Sequence, residues 1–183
     1  MNTRISLVFA LSLVLATGCM KKGGSADNAG GMSTADSMKA AYTAMSAAFD
    51  AGKVDELDKY VATNFIENNL MSGMEAGLAG QKKFCAGIHA AFPDAKTTIN
   101  DMRVDSNVLV ARFSVTATNS GPMMGMPPTN KKMTNIMGID EFRWENGKFA
   151  EHWGLFDEKA MMMQLGMMPP PPAGDAKMDD KKK

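Results

Sequence analysis

Asp157 closes the run Trp153-Gly154-Leu155-Phe156 and stands just ahead of the methionines Met161-Met162-Met163. A carboxylate set among aromatic and thioether side chains is poorly solvated, so its pKa is expected to rise towards that of a working acid or base. The same position, where an extended run gives way to a short helix, also suits a plain helix N-cap. Arg143 bears on the choice. In a two-residue Asn146-Gly147 hairpin, 143 pairs with 150 and Arg143 faces away from Asp157. In a three-residue loop with Gly147 as a bulge, 143 pairs with 149, and Arg143, Glu141, Trp153 and Asp157 share a face. The second arrangement gives Asp157 a cationic neighbour and pulls its pKa down.

Other chemistry is thinly represented. The chain holds two cysteines, Cys19 and Cys85, and two histidines, His89 and His152. No Cys-X-X-Cys or His-X-X-X-His spacing occurs, so no metal site and no cofactor is expected. Cys85, on the apolar face of a helix, reads as a small hydrophobe. Of the 19 methionines, two groups stand out, Met123-Met124-Met126 and Met161-Met162-Met163. Thioethers can ligate copper(I) or line an adaptable apolar pocket. Without a His or Cys pair beside them, pocket lining or plain compositional bias is the reading adopted. Formal net charge is zero, and neither a glycine-rich phosphate loop nor a basic stripe is present, which argues against nucleic acid or nucleotide partners.

The elements that must position these groups are helices first and strands after. Met38, Ala41, Tyr42, Met45, Ala48 and Phe49 follow helical spacing from Thr34, taken as N-cap, to Gly52. A short helix over Val54 to Tyr60 leads into an extended piece, Asn64 to Leu70. Gly73 to Gly80 reads as loop and Gln81 to Phe92 as a helix ended by Pro93. Strands then follow at Lys96 to Val104 and Val108 to Asn119. Leu109, Ala111, Phe113, Val115 and Ala117 form the buried alternation of the second. After a Met-, Pro- and Gly-rich loop, Ser120 to Asn130, the strands Lys131 to Trp144 and Lys148 to Asp157 make a hairpin about Asn146-Gly147. This order predicts a single α+β domain.

Asp140, Phe142, Arg143, Gly147, Lys148, Glu151, Trp153, Asp157 and Gln164-Leu165-Gly166 together resemble the C-terminal signature of the SnoaL-like polyketide cyclase or ester cyclase family. Ala91-Phe92-Pro93-Asp94 and Met124-Gly125-Met126-Pro127-Pro128-Thr129 resemble two further motifs of that family. The resemblance spans residues 34 to 166. It implies the nuclear transport factor two-like fold, a curved antiparallel sheet over N-terminal helices forming a cone with an internal pocket. It also implies that Asp157 stands at the acid/base of an intramolecular aldol closure. Arg143, Asn68 and Asn119 stand where relatives carry histidines, and neither Asn nor Arg titrates near neutrality. The resemblance puts Arg143 and Asp157 in the pocket together, which favours the bulged hairpin. Tyr42, Asn68, Phe84, Asn119, Met124, Glu141, Arg143 and Trp153 are the expected pocket residues.

At the other end, Arg4, the apolar run Ile5 to Ala16 and Thr17-Gly18-Cys19 make a signal peptide over residues 1–18. Its LATGC ending resembles a bacterial lipobox, with Cys19 as the lipidated residue. Residues 19–33 read as a flexible tether and 167–183 as a disordered Pro- and Lys-rich tail. Two functions follow as expectations. The first is an envelope lipoprotein, held at the outer membrane or facing the periplasm, that binds a small, largely apolar or carbonyl-containing molecule. The alternative is an ester cyclase or isomerase using Asp157 on a carbonyl substrate. A homodimer through the sheet is compatible with either.

Overall fold

The structure is a computed structural model that describes residues 32–69, 75–123 and 125–169. The expected signal peptide, Cys19, nearly all of the tether, Met124 and most of the tail lie outside the described residues. No helix among those described is long and apolar enough to cross a membrane.

Helix α1, Thr34–Asp50, is capped by Ser33, whose hydroxyl oxygen accepts from the Asp36 amide at 3.1 Å. The cap thus falls one residue before the expected Thr34. Both hydroxyl residues can serve, and Ser33 is the one with extended backbone. Met38, Tyr42, Met45 and Ala48 form the buried stripe of α1, and Gly52, at φ 65°, turns the chain out of the helix. Val54–Lys59 is a 3₁₀ helix. Strand β1, Val61–Glu67, begins three residues before the expected extended piece. Helix α2, Gly77–Ala91, begins four residues before the expected Gln81, inside the segment read as loop. Gly80 is why this start is possible, since a Cβ there would meet the Glu75 backbone.

Strands β2, Lys96–Asp105, β3, Val108–Thr118, β4, Lys132–Glu145, and β5, Lys148–Phe156, form an antiparallel run, and α3, Glu158–Gln164, follows. The five-stranded sheet has the order β1-β5-β4-β3-β2. Its one departure from antiparallel pairing is β1, which lies parallel to β5. A parallel neighbour must be reached by a long crossover, and here nearly the whole domain intervenes between the two strands. The mixed, curved sheet with helices on one face is the α+β fold expected.

Side chains of β3, β4 and β5 alternate between two faces. The inner face carries Leu109, Ala111, Phe113, Phe142, Asp140, Gly138, His152, Gly154 and Phe156, as the registers Leu109↔Phe142↔His152, Ala111↔Asp140↔Gly154 and Phe113↔Gly138↔Phe156 require. Two apolar clusters fill it. One joins Met38, Tyr42, Phe65, Cys85, Leu109, Ala111, Phe142 and Phe149. The other joins Phe92, Ala117, Met123, Met133, Ile136 and Leu165, with Met161 and Met162 packed against it. Met161 and Met162 of α3 therefore act as core filler. Cys85 is fully buried within the first cluster, and burial, then the charge of Asp50, pushes its thiol up to about 11.

Candidate functional site

On the inner face, Phe113, Gly138, Asp140 and Gly154 lie between the two apolar clusters, and Phe156 packs against the second. Glycine weakens a strand interior, so each of the two marks a place where another group comes close, the Phe113 ring at Gly138 and the His152 ring at Gly154. The Phe113 ring lies over Gly138, where a Cβ would meet its Cζ at 2.3 Å, and stacks on Phe156 with centroids 6.3 Å apart. A Cβ on Gly154 would lie 2.7 Å from His152 Cε1 and 3.5 Å from Asp140 Oδ1. Gly154 is thus the reason that the His152 ring and the Asp140 carboxylate can lie together.

Those two belong to a chain of polar side chains drawn from five elements. The Tyr42 hydroxyl of α1 donates to Asp140 Oδ2 at 2.7 Å. His152 Nε2 lies 3.2 Å from Asp140 Oδ1, and its Nδ1 lies 2.7 Å from Glu67 Oε2. Gln81 of α2 donates to the same Glu67 oxygen at 2.7 Å, and the Asn69 amide donates to Glu67 Oε1 at 2.9 Å. Phe142 stacks on the imidazole at 4.4 Å. A ring with a carboxylate at each nitrogen is an imidazolium donating twice. Burial alone would lower the His152 pKa, but the bonds and charges of Asp140 and Glu67 outweigh it and hold the ring up at about 9. Glu67 mirrors this. Its burial opposes ionisation, yet the His152 bond and charge, the Asn69 amide and Gln81 bring its pKa below the ordinary value. Burial, then the charge of Asp140 and the bond to it, keeps the Tyr42 phenol protonated.

The hairpin that aims His152 inward differs from the one expected. Asn146 and Gly147, with φ of 50° and 80°, form a two-residue turn, with Glu145 opposite Lys148 and Trp144 opposite Phe149. The register then slips by one, so Arg143 faces Glu151 and Ala150 is the extra residue. The bulge therefore sits at Ala150 and not at Gly147. Its effect on sidedness is the expected one, because Glu141, Arg143 and Trp153 share a face.

That shared face is the outer one, away from the helices. Asp157 stands next to it, its amide bonded to Met137 O at 2.9 Å and its Oδ1 accepting from the Ala160 amide at 2.8 Å as the cap of α3. It is exposed and borders a shallow, open depression of about 290 Å³ with Ile139, Leu155 and Arg112. Arg143 pairs with Glu151 at 2.8 Å and Glu145 at 2.7 Å, not with Asp157. Trp153 is exposed. Asn68 is exposed and bonds Glu151 and the His152 carbonyl. Phe84 packs at a tilt against Phe49, with ring centroids 5.8 Å apart, beside the first cluster. Asn119 is fully buried and tied to Ala91 O, Gly121 O and Thr129, which secures the loop after β3. Of the expected pocket residues that the structure describes, only Tyr42 reaches the inner polar chain. Glu67, Gln81, Asp140, His152 and Gly154 were not among them. Their signal is parity. Asp140 and His152 fall on the alternation of the buried Phe142 once the bulge is allowed.

A family model of the SnoaL-like polyketide cyclases matches residues 39–165. Among solved structures, TsrD from Streptomyces laurentii is 25% identical with a TM-score of 0.68, over 75% of this chain and 100% of that one. AclR from Streptomyces galilaeus is 25% identical with a TM-score of 0.65, over 76% and 87%. A SnoaL-like polyketide cyclase from Agrobacterium tumefaciens, 22% identical with a TM-score of 0.57 over 70% and 98%, shares the fold. No curated protein matches the sequence. With the family model covering most of the domain, and with helices packed on one face of a five-stranded curved sheet, this chain belongs to the SnoaL-like polyketide cyclase family.

Proposed function

We propose that this chain is a small-molecule-binding domain held at the bacterial envelope by a lipid on Cys19. Its ligand would be largely apolar and would lie against Phe113 and Phe156, with one polar group at Asp140. The observation that carries the reading is the chain Tyr42–Asp140–His152–Glu67 within an otherwise apolar interior. Taking two carboxylates and an imidazolium out of water is costly, and apolar side chains of similar volume would stabilise the fold as well or better. Such a group is retained where it does something else. The side chains of His152 and Asp140 keep 16% and 20% of their surface exposed, against 6% for Glu67, so the first two are the ones a ligand can reach. Membership of a family of polyketide cyclases supports a small, carbon-rich ligand.

The test is native mass spectrometry of the Cys19→Ala protein, made soluble by loss of its anchor and purified from its own host. A retained molecule that dissociates on denaturation, and whose occupancy drops in Asp140→Asn, is the expected result. An adduct held equally by Asp140→Asn would place the ligand elsewhere.

Catalysis is the second reading, and one observation favours it. Asp157 borders an apolar depression and stands where the family resemblance puts an acid/base on a carbonyl substrate. The expectation is then a fall in turnover of roughly 10²-fold or more in Asp157→Asn with ligand affinity retained.

A further inference from the structure

We infer that α3 is held to the domain by methionines within reach of a peroxide, so that Met161, Met162 and Met167 form an oxidation site whose conversion to sulfoxide releases the helix. None of the residues of α3 is fully buried. Asp157 caps its first turn. At its other end the Gln164 side chain stands in for a strand, accepting from the Thr134 amide at 2.7 Å and donating to the Thr134 carbonyl at 3.2 Å. Gln164 and Thr134 are both exposed, and hydrogen bonds that water can replace stabilise little. The apolar hold comes from Leu165, fully buried, and from Ala160, Met161, Met162 and Met167, half-buried against the second cluster. The way the helix ends brings Met167 back. Gly166, at φ 70°, donates its amide to Met163 O at 3.0 Å, and the Met167 amide donates to Met162 O at 2.8 Å. That closing pair sets Met167 and Met162 against the same cluster.

Solvent access differs among the methionines. Met32, Met126, Met137 and Met168 are 36% to 67% exposed, and a sulfoxide on any of them would face water. Met38 and Met133, 0% and 3% exposed, lie within the two clusters and are closed to a peroxide. Met161, Met162 and Met167 fall between these extremes, open enough to react yet packed on apolar neighbours. The step balances with hydrogen peroxide as the oxidant. The thioether sulfur attacks one peroxide oxygen, an S–O bond forms as the O–O bond breaks, sulfur is oxidised by two electrons, and the second oxygen leaves with both protons as water. A flexible apolar side chain has become a polar one. Each new S–O dipole must stay unpaired against the second cluster or turn out to water. Turning out lifts α3, because only Ala160 and Leu165 then keep apolar contact with that cluster among the described residues. Reductases return methionine sulfoxide to the thioether, so the release is reversible.

To test this, the Cys19→Ala protein is treated with increasing hydrogen peroxide. Sulfoxides are located by peptide mass spectrometry, and hydrogen exchange of the Thr134 amide, whose partner is Gln164, is followed by NMR. Oxygen should appear first on the exposed methionines with Thr134 exchange unchanged. It should then appear on Met161, Met162 and Met167, with Thr134 exchange at least tenfold faster in step, while Met38 and Met133 stay unmodified. Methionine sulfoxide reductase should restore the starting rate. The triple variant Met161→Leu, Met162→Leu, Met167→Leu nearly conserves volume, and its Thr134 exchange should stay at the untreated rate throughout. Three results would overturn the inference: Met161, Met162 and Met167 as resistant as Met133, their full oxidation with Thr134 exchange unmoved, or a triple variant loosened by peroxide as much as wild type. Should the triple variant fail to fold, the first two results, both read on wild type, still decide.

Discussion

Glu67 and His152 stand opposite each other across the parallel β1–β5 pair, with the Glu67 carboxylate 2.7 Å from the imidazole. They are 85 residues apart in sequence, so the ion pair closes only when the first strand docks beside the last. It acts as a seal on the sheet edge as well as part of the site. A pair this buried is strongly destabilising to break from one side, by about 3 to 5 kcal/mol.

Stability should therefore depend on pH through His152. The ring titrates at about 9 in the folded state against 6.5 when unfolded, so between these values the native state holds a proton that the unfolded chain has released. Stability is full below pH 6.5 and is lost as pH rises through 9, by a few kcal/mol in all. Glu67 acts with the opposite sign. Its lowered pKa stabilises above 4.5, and that contribution is lost on acidification. Thermal melts should show a plateau between these limits, and His152→Gln should flatten the alkaline limb. A wild-type melting temperature constant from pH 6 to 10 would refute the imidazolium.

Tyr42→Phe removes one hydroxyl from a fully buried position and leaves Asp140 with a single donor. The expected cost is about 1.5 to 3 kcal/mol, the range for a hydrogen bond to a charged group, read by urea denaturation. A loss under about 0.5 kcal/mol would mean that water replaces the phenol.

Gly154→Ala should do more harm than its size suggests. The added carbon lies 2.7 Å from His152 Cε1 and 3.0 Å from Nε2, so the ring must swing away from Asp140. NMR titration should then find the His152 pKa lowered relative to wild type. An unchanged pKa would refute the role of Gly154 in seating the ring against Asp140.

Asp157→Asn should leave stability nearly untouched, since Asn caps a helix as well as Asp does, whereas Asp157→Ala should cost about 1 kcal/mol. The pair separates capping from chemistry. If turnover on a carbonyl substrate falls in Asp157→Asn while the melting temperature holds, Asp157 is catalytic as well as a cap.

Cys19→Ala should move the protein from the membrane fraction to the soluble fraction. Unchanged fractionation would remove the lipid anchor from the account.

Local features of this fold are readable in the chain. The α1 stripe Met38, Tyr42, Met45 and Ala48 follows from helical spacing, the inner face of β3 from its alternation, and the turn at Asn146-Gly147 from two residues that accept positive φ. The site is less legible because two non-local events build it. One is the parallel pairing of β1 with β5, which no neighbouring residue signals and which alone makes Glu67 a partner of His152. The other is the slip at Ala150. Its only trace is two consecutive apolar residues, Phe149 and Ala150, both buried, where strict alternation would turn one outward. With the slip placed at Gly147 instead, the shared face of Arg143 and Trp153 is found, but nothing in the sequence says which side of the sheet the helices cover.

The slip at Ala150 also governs which changes in length the domain can absorb. Removing Ala150 would straighten β5 while keeping Trp144 against Phe149 and Phe142 against His152, so the imidazole would still point at Asp140 and Glu67. Removing one residue between Glu151 and Phe156 would reverse every side chain on one side of the cut, exchanging the places of Gly154 and its outward neighbours. Neighbouring losses of a single codon in this hairpin should therefore differ sharply in outcome, with tolerance set by whether the lost residue is the unpaired one and not by distance from the site.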